Sequence, residues 1–191
     1  MPVFCLADRE ANRHTGEEEA DEGPHARGDE HGPGPDGLGH GTAPGDGPQR
    51  EAGHSRPREA IGAAWAFARG GERGKALRDT AWAALKAAQV AHSGAAREAA
   101  RAAMAAAGAA YLHPLANATQ VKHILGAGAH AALAAELVAG ESAVGHLERT
   151  VRRAAPRVVD VLRRYPAAPQ GGGRVGELIR ALDAGLRARP G

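Results

Sequence analysis

Residues 110–137 read AYLHPLANATQVKHILGAGAHAALAAEL, and this stretch decides the fold. Pro114 disfavours a helical conformation at the residue before it, so we expect a chain break around LHPLAN. A helix should follow, from Asn117 or Ala118 to about Ala139. Its glycines would let another backbone approach closely. The predicted inner side consists of Val121, Ile124, Leu125, Gly128, Ala132 and Leu133.

The rest of the chain from residue 55 onward also has helical periodicity, and no stretch alternates apolar with polar residues as a half-buried strand would. We therefore expect an all-α fold, a compact bundle or stack of about six to seven short helices over residues 55–191. The segments SAVGHLERTVRRA and PRVVDVLRRY predict two short helices. The last helix has the clearest amphipathic pattern. Its apolar positions are Val175, Leu178, Ile179, Leu182 and Leu186.

Three further helices are predicted ahead of the quoted stretch. Ser55 is a plausible cap for the first, with Pro57 in its first turn. The predicted inner positions of the first two helices are Ile61, Trp65 and Ala68, then Leu77, Ala81, Trp82, Leu85 and Ala88 or Gln89. The third helix is almost all alanine, so it must lie close to its neighbours. Its predicted solvent side carries Arg97, Glu98 and Arg101.

Charge is divided unevenly along the chain. Residues 1–54 hold 12 acidic and 4 basic side chains, whereas residues 55–191 hold 10 acidic and 20 basic ones. The first segment also contains 11 Gly and 6 Pro, and it lacks the apolar side chains needed to offset chain entropy. We therefore predict a disordered acidic arm joined to a basic helical domain.

The compartment is predicted from what the sequence lacks. Cys5 is the sole cysteine, which excludes an internal disulfide and fits a reducing cytoplasm. The start MPVFCLADRE has neither the basic residues nor the apolar run of a signal peptide. The longest charge-free run, residues 102–121, contains His113, Pro114, Asn117 and Gln120, so we do not expect a membrane span. These features predict a cytoplasmic protein.

The histidines of the quoted stretch are candidates for chemistry. His123 and His130 share a helix face but lie roughly 10 Å apart along the axis, too far to share a metal ion. A second ligand for His123 would have to be His113, brought back by the PLAN turn. General acid–base catalysis would need a nearby carboxylate, and the nearest in sequence, Glu136, lies on another face. We therefore predict no catalytic residue, no cofactor and no metal site.

Structural roles explain these polar residues more simply. We expect His123 and His130 to be partly buried and hydrogen-bonded to carbonyl groups or to Asn117 and Gln120 across the helix break. The segment GGGRVG at residues 171–176 matches a dinucleotide-binding pattern formally. It follows no predicted strand, so we interpret it as a turn and helix start.

Arginines recur near the carboxyl end, and such a basic face could hold phosphates. They are Arg149, Arg152, Arg153, Arg157, Arg163 and Arg164. However, aromatic residues make up only 3% of the chain and no nucleic-acid-binding motif is present. A solvated face is therefore the favoured interpretation.

Several runs together resemble a known family: RPREAI, GKALRDTAWAALKAA, AAREAARAA, YLHPLANATQVKHILGAGAHAA, PRVVDVLRRYP and GGGRVGELIRALDAGLR. They are similar to the alanine-rich, all-helical immunity proteins of bacterial toxin–immunity systems, found mostly in actinobacteria. The resemblance covers about residues 56–188 and is strongest in YLHPLANATQVKHILG. It implies a cytoplasmic protein that binds and neutralises a cognate toxin without catalysis. It also implies a helical segment before RPREA, where this chain has the acidic arm.

The functional hypothesis is therefore a binding protein whose partner is a cognate protein toxin, with no membrane association. The candidate partner-binding residues are His113, Asn117, Gln120, Lys122, His123 and His130. Two alternatives stay open. One is a basic nucleic-acid-associated protein whose acidic arm competes with phosphate, and the other is a histidine-dependent enzyme or metalloprotein.

Overall fold

The computed structural model describes residues 47–113, 115–138 and 142–190, with side chains from Ser55 onward. Within these ranges the protein is all-α, as predicted, with seven α-helices and no strand. The helices are α1 (Gly47–Ala68), α2 (Lys75–Gln89), α3 (Gly94–Gly108), α4 (Ala118–Leu137), α5 (Ala143–Arg153), α6 (Pro156–Arg163) and α7 (Gly173–Arg187). A 3₁₀ turn, Ala109–Tyr111, extends α3. No helix in the described part is long and apolar enough to cross a membrane.

Helix α4 is the central element, and it packs against α3, α5 and α7. Six consecutive residues in its middle, 124–129, are buried, so this part of the helix is enclosed on every side. A helix can be enclosed in this way when its side chains are small or apolar around the whole circumference. The predicted inner positions are confirmed, since all are buried except the half-buried Leu133.

Two apolar cores meet at α4. The larger one joins α4 to α5, α6 and α7, and its fully buried side chains include Leu125, Leu162 and Leu182. The smaller one joins α1, α2 and α3, is built mainly from alanine, and reaches α4 through Ala127. Because alanine buries little area, this second core depends on short distances between helix axes.

The predicted start of α1 was wrong, and so was Trp65 on its predicted inner face, whereas Ala68 is buried and Ile61 packs against the core as expected. The helix begins at Gly47 and continues through Ser55, and Pro57 lies inside it. Proline has no N–H, so the helix passes this turn with one backbone hydrogen bond fewer. The core residues of α1 are Ala60, Ala64, Phe67 and Ala68. The part of the predicted arm before Gly47 lies outside the described residues.

Both tryptophans lie outside the core, contrary to prediction. Trp65 is 38% exposed and Trp82 is 58% exposed. On α2 the buried residues are Leu77, Ala84, Ala87 and Ala88. The core residues that α1 and α2 contribute are mostly alanine, and a core of such small side chains requires helices that lie close together, without an indole ring between them.

Glycines on α4 make close helix packing possible. A Cβ atom built at Gly128 would lie 2.9 Å from Leu182 Cδ2 and 3.7 Å from Thr150 Cγ2. Leu182 is fully buried, so its side chain has little freedom to move aside. At Gly126, one half-turn away, the nearest atom is the Cβ of Ala105 at 3.9 Å, an ordinary contact distance. An added methyl group would therefore be too close to a neighbouring side chain at Gly128 but would fit at Gly126.

This difference predicts opposite effects for two matched substitutions. Gly126→Ala should stabilise the protein by about 0.5–1 kcal/mol, because alanine favours helix. Gly128→Ala should destabilise it by about 1 kcal/mol, because overpacking against Leu182 outweighs the same helix-propensity gain. Urea unfolding followed by circular dichroism measures both. Equal stabilisation by the two substitutions would show that α4 and α7 are not closely packed.

Candidate functional site

The predicted chain break precedes α4, and one of its polar residues caps the helix. Asn117 Oδ1 accepts a hydrogen bond from the backbone N–H of Gln120, at 3.0 Å. Gln120 is half-buried, and its Oε1 atom is shielded from solvent with no hydrogen-bond partner within the described ranges. His113 is exposed, and so is the neighbouring Leu115, at 59%. Asn117 thus has the structural role that was expected of the polar residues here.

A buried carboxylate, Glu98, contacts the imidazole of His130. Glu98 Oε2 lies 2.6 Å from His130 Nδ1, and Glu98 Oε1 accepts a hydrogen bond from Arg101 Nη1 at 2.8 Å. Glu98 is only 6% exposed, and the His130 side chain is 19% exposed. Two predictions were therefore wrong: Glu98 does not face solvent, and His130 does have a carboxylate partner. The partner is in α3, not in the Asn117–Gln120 junction.

A cavity of about 390 Å³ lies between α3, α4 and the start of α7. Its polar lining comes from α4, where Lys122, His123 and His130 project into the same space. The prediction that His123 and His130 share a helix face is confirmed, because both line this cavity. The expectation that both are partly buried was correct for His130 but wrong for His123, which is exposed. The rest of the lining is small or apolar: Met104, Ala105, Gly108, Ala109, Gly126, Gly172, Val175, Gly176 and Ile179.

The six candidate residues therefore occupy two places. Lys122, His123 and His130 line the cavity, whereas His113, Asn117 and Gln120 belong to the junction before α4. His113, which was considered as a second ligand beside His123, is exposed and is not part of the cavity lining. In the described part of the chain, no group of three histidine, cysteine, aspartate or glutamate residues is arranged to hold a metal ion.

The contact with Glu98 determines what His130 can do chemically. A carboxylate at Nδ1 fixes the orientation of the ring and favours a proton on that nitrogen. The other ring nitrogen, Nε2, is then the one that a ligand in the cavity can reach. Such an arrangement suits hydrogen bonding to a bound group.

A second buried carboxylate, Asp183 on α7, has a purely structural role. Its Oδ2 atom accepts a hydrogen bond from the backbone N–H of Ala168 at 2.9 Å, and its Oδ1 atom pairs with Arg187 Nε at 2.8 Å. Arg187 also donates to the carbonyl of Pro166. These bonds hold the loop before α7 against the larger core. Neither buried acid was identified as buried from the sequence.

Arg174 ties the start of α7 to the end of α4. It donates to Glu136 Oε2 at 2.9 Å and to Glu177 Oε2 at 2.9 Å. The hydrogen bonds to Glu136 and then Glu177 raise the pKa of Arg174 above its ordinary value. The carboxylate of Glu136, at the end of α4, is therefore paired with an arginine on α7 and not with the histidines of α4.

The fold and the cavity define an all-helical domain with a small, partly polar pocket. Comparison of the chain with protein-family models, with curated proteins and with solved structures found no match.

The contact between Glu98 and His130 predicts a measurable coupling. His130→Ala should destabilise the protein by about 2 kcal/mol, because it removes one partner of a buried carboxylate. In a double-mutant cycle with Glu98→Ala, the two effects should be non-additive by about 1–3 kcal/mol. Arg97→Ala, at an exposed neighbouring position, is the control and should change stability by less than about 0.5 kcal/mol. Additive effects in the cycle would contradict the contact.

Proposed function

We propose that this chain is an immunity protein of the bacterial cytoplasm that binds and neutralises a cognate protein toxin. The observation that carries the proposal is the exposure of both tryptophans on the α1–α2 hairpin. Tryptophan is enriched among the residues that dominate protein–protein binding energy, and an exposed indole has a solvation cost that a partner can relieve. The chain has only these two tryptophans, and its core contains neither.

The junction before α4 offers a second contact region. Leu115 is exposed, and so are the polar residues His113 and Asn117 on either side of it in the sequence. Alternation of an apolar anchor with hydrogen-bonding groups is typical of the contact surfaces of specific complexes. The family resemblance is strongest over the same residues.

Charge indicates what kind of partner surface is suitable. The domain from residue 55 onward carries 20 basic and 10 acidic side chains. Such a surface attracts an acidic partner and accelerates encounter with it. We therefore propose that the toxin presents an acidic surface to this domain.

The proposal predicts a loss of neutralisation in one surface variant. The full chain should be co-expressed with toxins encoded beside its gene, and growth should be restored by the cognate pair. Trp82→Ala should weaken the complex by about tenfold or more without lowering stability, because Trp82 is mostly exposed. Isothermal titration calorimetry with the purified toxin measures the affinity.

Arg97→Ala is the matched control, since it removes an exposed side chain from α3 without removing an aromatic anchor. It should leave both growth rescue and affinity unchanged. Failure of the wild-type chain to protect against every neighbouring toxin would refute the proposed function. Full rescue by the Trp82 variant would instead refute the contact surface.

One further observation favours the nucleic-acid alternative. All six arginines of the predicted basic face on α5, α6 and the following turn are exposed. This alternative requires the acidic segment to compete with phosphate, so a chain without residues 1–46 should bind DNA more tightly than the full chain, with a steeper salt dependence. Negligible DNA binding by both forms would remove it.

A further inference from the structure

We propose that the cavity between α3, α4 and α7 binds a small phosphate monoester. The inference is independent of toxin binding. It depends on three features of the cavity: nitrogen-bearing side chains along one helix face, a histidine held by a buried carboxylate, and an apolar opposite wall.

The nitrogen-bearing groups come from one face of α4. Lys122, His123 and His130 all line the cavity, and Gly126 between them leaves the space that a larger side chain would fill. A lysine ammonium provides three donors, and a protonated imidazole can donate from both ring nitrogens. A carboxylate ligand has two oxygens to accept these bonds, whereas a phosphate monoester has three terminal ones and a greater charge. This number of donors favours phosphate.

The contact with Glu98 occupies one ring nitrogen of His130 and leaves the other for an anion. The carboxylate lies 2.6 Å from Nδ1, so an imidazolium there would have one N–H directed to Glu98 and the other, at Nε2, available to the ligand. Arg101, 2.8 Å from the second oxygen of Glu98, offsets the charge of that carboxylate. An anion can enter without meeting an unpaired carboxylate.

The start of α7 closes the site on its other side. Gly172 and Gly176 line the cavity beside the first turn of this helix, where the helix dipole is positive. Gly172 has a φ of 81°, a backbone conformation that glycine adopts readily. The helix end strengthens a site that the side chains of α4 already define.

Size and lining restrict the rest of the ligand. A volume of about 390 Å³ is near the lower end for small-molecule sites. Met104, Val175 and Ile179 provide an apolar wall for a compact apolar group. The expected ligand class is therefore a phosphate attached to a small apolar or aromatic group, not a dinucleotide.

Phenyl phosphate is a suitable probe for the full chain. We expect saturable binding with a dissociation constant of about 1 mM or lower by calorimetry. The ring signals of His123 and His130, assigned from His→Gln variants, should shift with the same saturation curve in NMR spectra. Benzoate and phenol, which replace phosphate by a carboxylate or a neutral hydroxyl, should bind at least about tenfold more weakly.

Two variants test the site itself. Lys122→Gln and His123→Gln should each weaken binding of phenyl phosphate by about tenfold, because each removes a donor to the anion. The exposed Lys86 on α2 provides the control, and Lys86→Gln should leave affinity unchanged. His123 is exposed, so its variant should fold even if the Lys122 variant does not.

Three results would overturn the inference. One is the absence of saturable binding by the wild-type chain. Another is equal weakening by the Lys86 and Lys122 variants, which would indicate attraction to overall charge. The third is benzoate binding as tight as that of phenyl phosphate, which would contradict the phosphate assignment.

Discussion

The burial of the middle of α4 is the condition that every neighbouring helix has to meet. All of residues 124–129 are buried, and the four small residues among them, 126–129, allow the neighbouring helices to approach closely. Gly128 permits the approach of Leu182 from α7, while Ala127 faces the alanine core of α1–α3. Close packing of this kind gains dispersion contacts over a large area even though each alanine buries little.

The same helix also carries the polar groups that line the cavity. Its capping residue, Asn117, fixes where the helix begins and therefore sets the rotation of every residue after it. That rotation places Lys122, His123 and His130 on the cavity side and Val121, Ile124 and Leu125 on the core side. Core packing and the cavity are consequently not independent features, because a shift in the start of α4 would alter both.

The sequence was most informative where the core is built from large aliphatic residues. The spacing of Leu178, Ile179, Leu182 and Leu186 predicted the buried face of α7 correctly, because burying these side chains contributes much of the local free energy. The prediction that α4 starts at Asn117 or Ala118 was also correct. It depended on a nearby proline and a capping side chain, and both are signals in the local sequence.

Positions that depend on alanine packing could not be predicted in the same way. In α1 and α2 the predicted stripes were correct at Ala68, Leu77 and Ala88 but wrong at both indoles, because apolar residues occur on several faces of these helices. Burial of an alanine face depends on how near the next helix lies, which is a tertiary property. The error at Trp65 and Trp82 has this origin.

The contact between Glu98 and His130 was missed for a related reason. The two residues are 32 positions apart and on different helices, so neither periodicity nor spacing could pair them. A glutamate among arginines on an alanine-rich helix has the pattern of a solvent face. Only the packing of α3 against α4 brings the carboxylate to the imidazole.

The central claim is that α4 joins the two cores into one cooperative unit. Native-state hydrogen exchange across residues 118–137 tests it most directly. If α4 joins the two cores, the amides in its middle should be among the slowest in the domain and should exchange only through global unfolding, with the same denaturant dependence as those of α3 and α7. Exchange of α1–α3 and of α5–α7 through separate unfolding steps, with α4 opening at a lower free energy than either group, would contradict it.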